Sequence, residues 1–146
     1  MGKKAVWKLG EEEERAFQAL QVMLLQYLVL TVPNFNLPMI LHTDALDVGV
    51  GATLSQEDKW DELRLVACRS RNLSSAEKNY PVHEKEMLAL VDTLEEWRHY
   101  LLGVAVLVYI DNSALSYLQK NTKPSPRHVK WLEKLQRYDL KISHIP

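Results

Sequence analysis

The chain has 146 residues, 47% apolar and 25% charged, with a formal net charge of −1. That is the size and balance of one water-soluble globular domain, and it gives no global electrostatic argument for binding nucleic acid. A single cysteine, Cys68, excludes an internal disulfide framework and a cysteine-built zinc cluster; it is expected to be a small buried hydrophobe on a strand. No run approaches the roughly 20 apolar residues of a membrane-spanning helix, and Met1-Gly2-Lys3-Lys4 has no signal-like apolar region behind it. A reducing, intracellular setting is therefore expected.

Residues 11–28 predict a helix, with Phe17, Leu20, Leu24 and Leu28 at helical spacing behind four glutamates that favour its N-terminus. Thr31 to Pro38 is a connecting segment. Met39–Asp44 predicts a first strand and Val48–Gln56 a second, with Val48, Val50, Ala52 and Leu54 on one face; Gly49 and Gly51 leave the other bare for close approach of backbone or ligand. Glu57–Asp61 turns the chain into a third strand, Glu62–Arg69. Ser74 with Glu77 fits a capping box, and the main helix begins near Pro81. Met87, Leu90, Val91, Leu94, Trp97 and Leu101 carry its period to a stop at Gly103. Val104–Ile110 is almost entirely apolar, as in a strand covered on both faces. Asn112–Gln119 and Arg127–Tyr138 follow as helices, the second with Val129, Leu132 and Leu135 inward, and Leu140–Ile145 is a last strand.

The order is helix, then β-β-β-α-β-α-α-β. Three strands before any core helix make the sheet begin antiparallel, and the crossover helix brings the fourth strand parallel to the first. The fold class is α/β, a mixed five-stranded sheet flanked by helices. Residues 1–38 form a helical lead-in and 39–146 the domain proper. Between Lys120 and Lys141 lie seven basic residues against two acidic ones, either a solvated face or a phosphate-contacting one.

Three acids fall where apolar segments end or meet a helix. Asp44 closes the first strand, Asp111 closes the fourth, and Glu86 lies in the first turns of the crossover helix. If the two strands pair in parallel, both aspartates leave the same edge of the sheet, where ligand sites of such sheets gather. Hard divalent cations prefer oxygen ligands, and two of them close together suit phosphodiester hydrolysis. Each acid also has an ordinary reading: Asp111 as a helix N-cap, Asp44 as a turn former, Glu86 as one exposed charge. Glu84 and Glu86 are about 200° apart on a helix, so only one can face the strand ends.

Longer words surround these acids. His42-Thr43-Asp44-Ala45-Leu46-Asp47-Val48-Gly49-Val50-Gly51-Ala52-Thr53-Leu54-Ser55-Gln56 resembles the opening of the ribonuclease H domain of gypsy-type retrotransposon polyproteins. Leu73 to Tyr80, His83-Glu84-Lys85-Glu86-Met87-Leu88-Ala89-Leu90-Val91 and Trp97 to Gly103 are similar to that family's crossover helix. Tyr109-Ile110-Asp111-Asn112, where Asp-His is the more usual ending, Pro124 to Arg127 and the Trp131-Leu132 segment continue the likeness. Trp7, Ala16-Phe17 and Val29-Leu30 to Pro33 resemble the connection that precedes the domain. In register, the likeness spans roughly residues 7–146.

The resemblance implies a ribonuclease H-like fold and cleavage of the RNA strand of RNA–DNA hybrids by water activated at Mg²⁺ or Mn²⁺. Asp44, Glu86 and Asp111 match three of the family's four metal-binding acids, and Glu86 rather than Glu84 matches the second glutamate of its Glu-Lys-Glu word. Implied partners are the hybrid and the polymerase domain of a parent reverse transcriptase polyprotein, without a membrane. Candidate substrate contacts are Arg69, Arg71, Asn112, Ser113, Arg127 and Lys130, and His83 and His144 are candidate proton carriers. The family pattern continues into a helix with a fourth aspartate, which would fall after Pro146, the last residue of this chain. A weak second cation site, no C-terminal helix and exposed apolar surface on one sheet face are therefore expected. The competing expectation is a catalytically weak or inactive interaction module on the same scaffold, with homodimerisation through that exposed face. Integrase or transposase chemistry on a related fold is a weaker third reading.

Overall fold

The computed structural model describes residues 30–120 and 123–145, with Glu11 and Arg15. The helix expected over 11–28 lies almost wholly outside them. Five strands, β1 (Met39–Ala45), β2 (Gly49–Glu57), β3 (Leu63–Asn72), β4 (Ala105–Ile110) and β5 (Asp139–His144), form one sheet in the order β3-β2-β1-β4-β5. β1–β2 and β2–β3 are antiparallel; β1–β4 and β4–β5 are parallel. The helices are α1 (Val82–Glu96), α2 (Arg98–Leu101), α3 (Asn112–Lys120) and α4 (Pro126–Leu135), with a 3₁₀ turn at Glu77–Asn79 before α1. This is the mixed five-stranded sheet expected from the order of elements, and the ribonuclease H-like fold that the resemblance implies. Among the described residues no helix follows β5, and none is long and apolar enough to cross a membrane.

The core forms where α1 crosses the sheet. Met39 and Leu41 of β1, Leu54 of β2, Val106, Val108 and Ile110 of β4 and Leu90 and Leu94 of α1 are essentially inaccessible. Each such aliphatic side chain contributes about 1.5–3 kcal/mol by leaving water. Period-two burial in the strands meets a helical stripe in α1, the pattern that an open sheet covered by a crossover helix requires.

Several expectations need correction. β4 is not sealed on both sides: Val106, Val108 and Ile110 are buried, but Leu107 and Tyr109 are only half so, as are Ile40 and His42 beside them. A uniformly apolar strand does not reveal which face is covered. Cys68 is exposed, because it lies on the outward pleat of the edge strand β3 opposite exposed Thr53. Val48 precedes β2 and is 61% exposed, since it belongs to the turn closed by Leu46 N–H donating to Gly49 O at 2.8 Å. The crossover helix breaks at Trp97 (φ −101°, ψ 25°), so Trp97 and Leu101 remain buried but not on one continuous helix. In α4 the inward stripe is His128, Trp131 and Leu135, while Val129 and Leu132 face outward. The two aromatic side chains bury more surface, and His128 finds polar partners inside.

Local punctuation follows the sequence closely. Ser74 Oγ accepts from Glu77 N–H at 3.2 Å, and Ser125 Oγ caps α4 by accepting from His128 N–H at 3.3 Å. Gly103 ends α2 at φ +79°, a conformation that favours glycine. Gly49 is needed for another reason: a Cβ there would stand 3.0 Å from Arg71 O of the neighbouring strand.

Candidate active site

The parallel pairing of β1 with β4 ends at His42 opposite Tyr109, whose rings stack at 4.9 Å. Two residues beyond on each strand come Asp44 and Asp111, so the two acids leave adjoining strands at the same edge. Neighbouring strands lie about 4.8 Å apart. Both acids are exposed. Asp111 also caps α3: its Oδ1 accepts from Ser113 N–H at 2.7 Å and its carbonyl from Leu115 N–H at 3.2 Å. Donation by the Ser113 backbone, then by its side chain, holds the Asp111 carboxyl below its ordinary value. The capping reading and the site reading are thus both available to one residue, because a cap occupies only part of a carboxylate.

Glu86 reaches the same edge from α1. It is 4% exposed, and its Oε1 accepts from Ala45 N–H, one residue past Asp44, at 3.2 Å. Its Oε2 is buried with no hydrogen-bond partner. Burial pushes its pKa up to about 7; the Ala45 N–H opposes that shift, and the charges of Asp44 and Asp111 add to it. The same carboxyl therefore senses both strand-end acids. Among the described residues, however, no three acidic, histidine or cysteine side chains already form a closed cation cage. Thr43, also inward on β1, leaves a second buried polar atom, Oγ1, without a partner.

Glu84 turns elsewhere. Its Oε2 pairs with Arg127 at 2.8 Å and its Oε1 lies 3.2 Å from His128 Nε2. Arg127 also stacks over Tyr80 at 3.9 Å, so this predicted substrate contact is engaged in tying α4 to α1. Arg69 and Arg71 converge on Asp92 Oδ2 at 2.9 and 3.0 Å, and Arg71 also pairs with Glu77 at 2.9 Å. Arg71 nevertheless shares the rim of a shallow groove with Asp44, Gly49, Gly51, Ser70 and Asn72. Asn112 and Ser113 flank Asp111, and Lys130 lies exposed on α4. His83 stacks on Tyr117 at 4.1 Å. His144 pairs with Ile110 at the end of β5, which brings it to the edge that carries the aspartates.

Sequence reasoning missed Asp92 as the hub of the arginine clamp, His128 as a buried hub between Glu84, Tyr117 and Ser125, and Lys85 as a buried lysine. Charged residues on a helix look alike in sequence. Only the packed neighbours separate those facing solvent from those facing partners.

An order of β3-β2-β1-β4-β5 with acids at the shared edge defines the class of ribonuclease H-like proteins. Residues 34–138 match the family model described as the RNase H-like domain found in reverse transcriptase, and the chain belongs to that family. The Retrovirus-related Pol polyprotein from transposon 297 of Drosophila melanogaster is 34% identical over 130 residues, 89% of this chain and 12% of that polyprotein. The Transposon Tf2-3 polyprotein of Schizosaccharomyces pombe is 33% identical over 144 residues, 96% of this chain and 11% of that polyprotein. The chain thus spans about an eighth or less of these two relatives. Its fold is similar to that of a foamy viral protease-reverse transcriptase in complex with double-stranded DNA (TM-score 0.72, 18% identity, covering 95% of this chain and 27% of that one). It is also similar to LC11-RNase H1 in complex with an RNA/DNA hybrid (TM-score 0.54, 18% identity, covering 74% and 85%).

Proposed function

We propose that this chain is the nuclease portion of a retroelement reverse transcriptase, cutting the RNA strand of RNA–DNA hybrids inside the cell. The observation that carries the reading is Glu86: a buried carboxyl with one orphaned oxygen, which feels the charges of two strand-end aspartates. Such an arrangement is costly without a cation and is relieved by one. Asp44, Glu86 and Asp111 are the residues to hold Mg²⁺ or Mn²⁺, which when bound would neutralise the acids and favour attack by water on a phosphodiester. In this reading Asp44 and Asp111 offer exposed oxygens at adjoining strand ends. The Ala45 N–H orients Glu86, and the α3 cap keeps Asp111 ionised. Asn112, Ser113, Arg71 and Lys130 are the contacts proposed for the hybrid backbone, with Arg69 and Arg127 chiefly anchoring the elements that present them. The polymerase portion of the parent polyprotein is the proposed partner.

The test is hybrid cleavage with Mn²⁺ or Mg²⁺ by the wild-type chain and by Asp44→Asn. Cleavage that disappears in the variant supports the reading, and cleavage indifferent to both cation and variant contradicts it. A non-catalytic interaction module, active as a monomer or a homodimer, is a second reading, favoured by the absence of a preformed three-ligand cage among the described residues. It predicts hybrid binding or self-association without turnover.

A further inference from the structure

Lys85 is the only buried lysine among the described residues, 7% exposed, and it immediately precedes Glu86. The two side chains meet the β1–β2 connection at different residues. Glu86 accepts the Ala45 N–H, while the Lys85 amine comes within 3.9 Å of Asp47 Oδ1. The Asp47 side chain is 99% exposed. An ion pair that long, with a carboxylate fully in water, stabilises little. It does place the amine, on an otherwise buried side chain, within reach of a carboxylate that stands fully in solvent. The ordinary account of such a lysine is snorkelling, the stem packed and the head wet.

The surroundings add a reason for the charge. Three carboxylates gathered at one sheet edge repel a phosphate backbone, and a strand can settle there only if positive charge stands close by. The arginines already carry carboxylate partners: Arg69 has Asp92, Arg127 has Glu84, and Arg71, on the groove rim beside Asp44, is shared between Asp92 and Glu77. Among the described residues, the ion pair of Lys85 is the long one with Asp47. We propose that Lys85 is a phosphate-contacting residue, receiving one backbone phosphate of a nucleic-acid strand laid across the β1–β2 turn, with Asp47 marking the position which that phosphate takes. The proposal rests on the hybrid-nuclease reading and names a contact that reading does not require.

The experiment is equilibrium binding of a short RNA–DNA hybrid in EDTA, followed from about 50 to 200 mM salt, for wild type, Lys85→Met, Lys85→Gln, Lys85→Arg and Asp47→Ala, with a melting temperature for each. Loss of one phosphate contact lowers the salt slope by about one and weakens low-salt binding about tenfold in Lys85→Met and Lys85→Gln. Lys85→Arg keeps the wild-type slope, Asp47→Ala binds at least as tightly as wild type, and the methionine variant melts no lower. Wild-type slope and affinity in both uncharged variants, or the same loss in Asp47→Ala as in Lys85→Met, overturns the proposal and makes Lys85 a structural tether. A wild-type chain that binds no hybrid overturns the nuclease reading and this contact with it. Intact wild-type binding with unaltered lysine variants overturns this contact alone.

Discussion

Two carboxylates on the same helix, α1, have opposite surroundings. Asp92 lies between Arg69 and Arg71, with both guanidinium groups donating to its Oδ2. Glu86, less than two turns earlier, receives one backbone N–H, leaves Oε2 unpartnered and faces the charges of two more acids. The clamp satisfies its charge and fixes β3 to the helix. The acid edge leaves its charge unsatisfied, and the arginine clamp and the apolar core hold it in place despite the repulsion. One carboxylate of α1 is neutralised by its partners and the other is not, and the proposed cation site rests on that contrast.

The comparison sharpens first on activity. Glu86→Gln should lower hybrid cleavage about a hundredfold or more, because in the proposed site it removes the charge of one of the three carboxylates that would hold the cation. Asp92→Ala should cost far less, about tenfold at most in the turnover of the folded fraction, since it touches the acid edge only through Arg71, which keeps Glu77. Single-turnover cleavage kinetics at saturating Mn²⁺ checks both. If the two substitutions cost the same, the distinction between the regions fails.

Stability should respond in the opposite sense. A Glu86 pKa raised from 4.5 to about 7 means that the folded chain holds this proton more tightly than the unfolded chain. The stabilisation is fully present below pH 4.5 and is lost as pH rises through about 7. In metal-free protein, Glu86→Gln should therefore be more stable than wild type at pH 8, by roughly 3 kcal/mol at most, and equal to it near pH 4. Urea denaturation at the two pH values measures the difference, and Mn²⁺ should raise the wild-type midpoint but not the variant's. A wild type that is the more stable protein at pH 8 without cation would show that burial and the neighbouring acids do not penalise the Glu86 charge.

Smaller effects follow at the clamp and beneath the edge. Asp92→Ala strands Arg69 and leaves Arg71 with Glu77 alone, and should cost roughly 1–2 kcal/mol, less than a deeply buried pair because water still reaches all three groups. Raising the salt concentration should shrink that cost. Thr43→Val replaces a buried hydroxyl without a partner by a methyl of similar shape and should be neutral or stabilising by up to about 1 kcal/mol. A destabilisation beyond that in thermal melts would mean that Thr43 Oγ1 has a polar partner in solution.

Much of the fold was legible because it rests on periodicity. The apolar runs of β1 and β4, the helical stripe of Met87, Leu90, Val91 and Leu94, and the stop at Gly103 all express local rules that the tertiary structure keeps. The choice between Glu84 and Glu86 was not settled by spacing. It depends on which side of α1 the β1–β2 turn and α4 pack, and only the fold shows Glu86 at Ala45 and Glu84 at Arg127 and His128. Cys68, Val129 and Leu132 misled for a related reason: hydrophobic character states a preference for burial, whereas a strand's position at the sheet edge or a competing aromatic stripe decides it. The roles of Arg69 and Arg71 were hidden because an ion pair between β3 and α1 leaves no pattern in the linear sequence.

The central claim is that Asp44, Glu86 and Asp111 act as one cation-binding unit. Calorimetric titration of the metal-free chain with Mn²⁺ tests it most directly, alongside Asp44→Asn, Glu86→Gln and Asp111→Asn. Binding in the micromolar to millimolar range that each single substitution weakens or removes is the predicted result. No heat of binding in the wild type, or binding that survives all three substitutions unchanged, would contradict the claim.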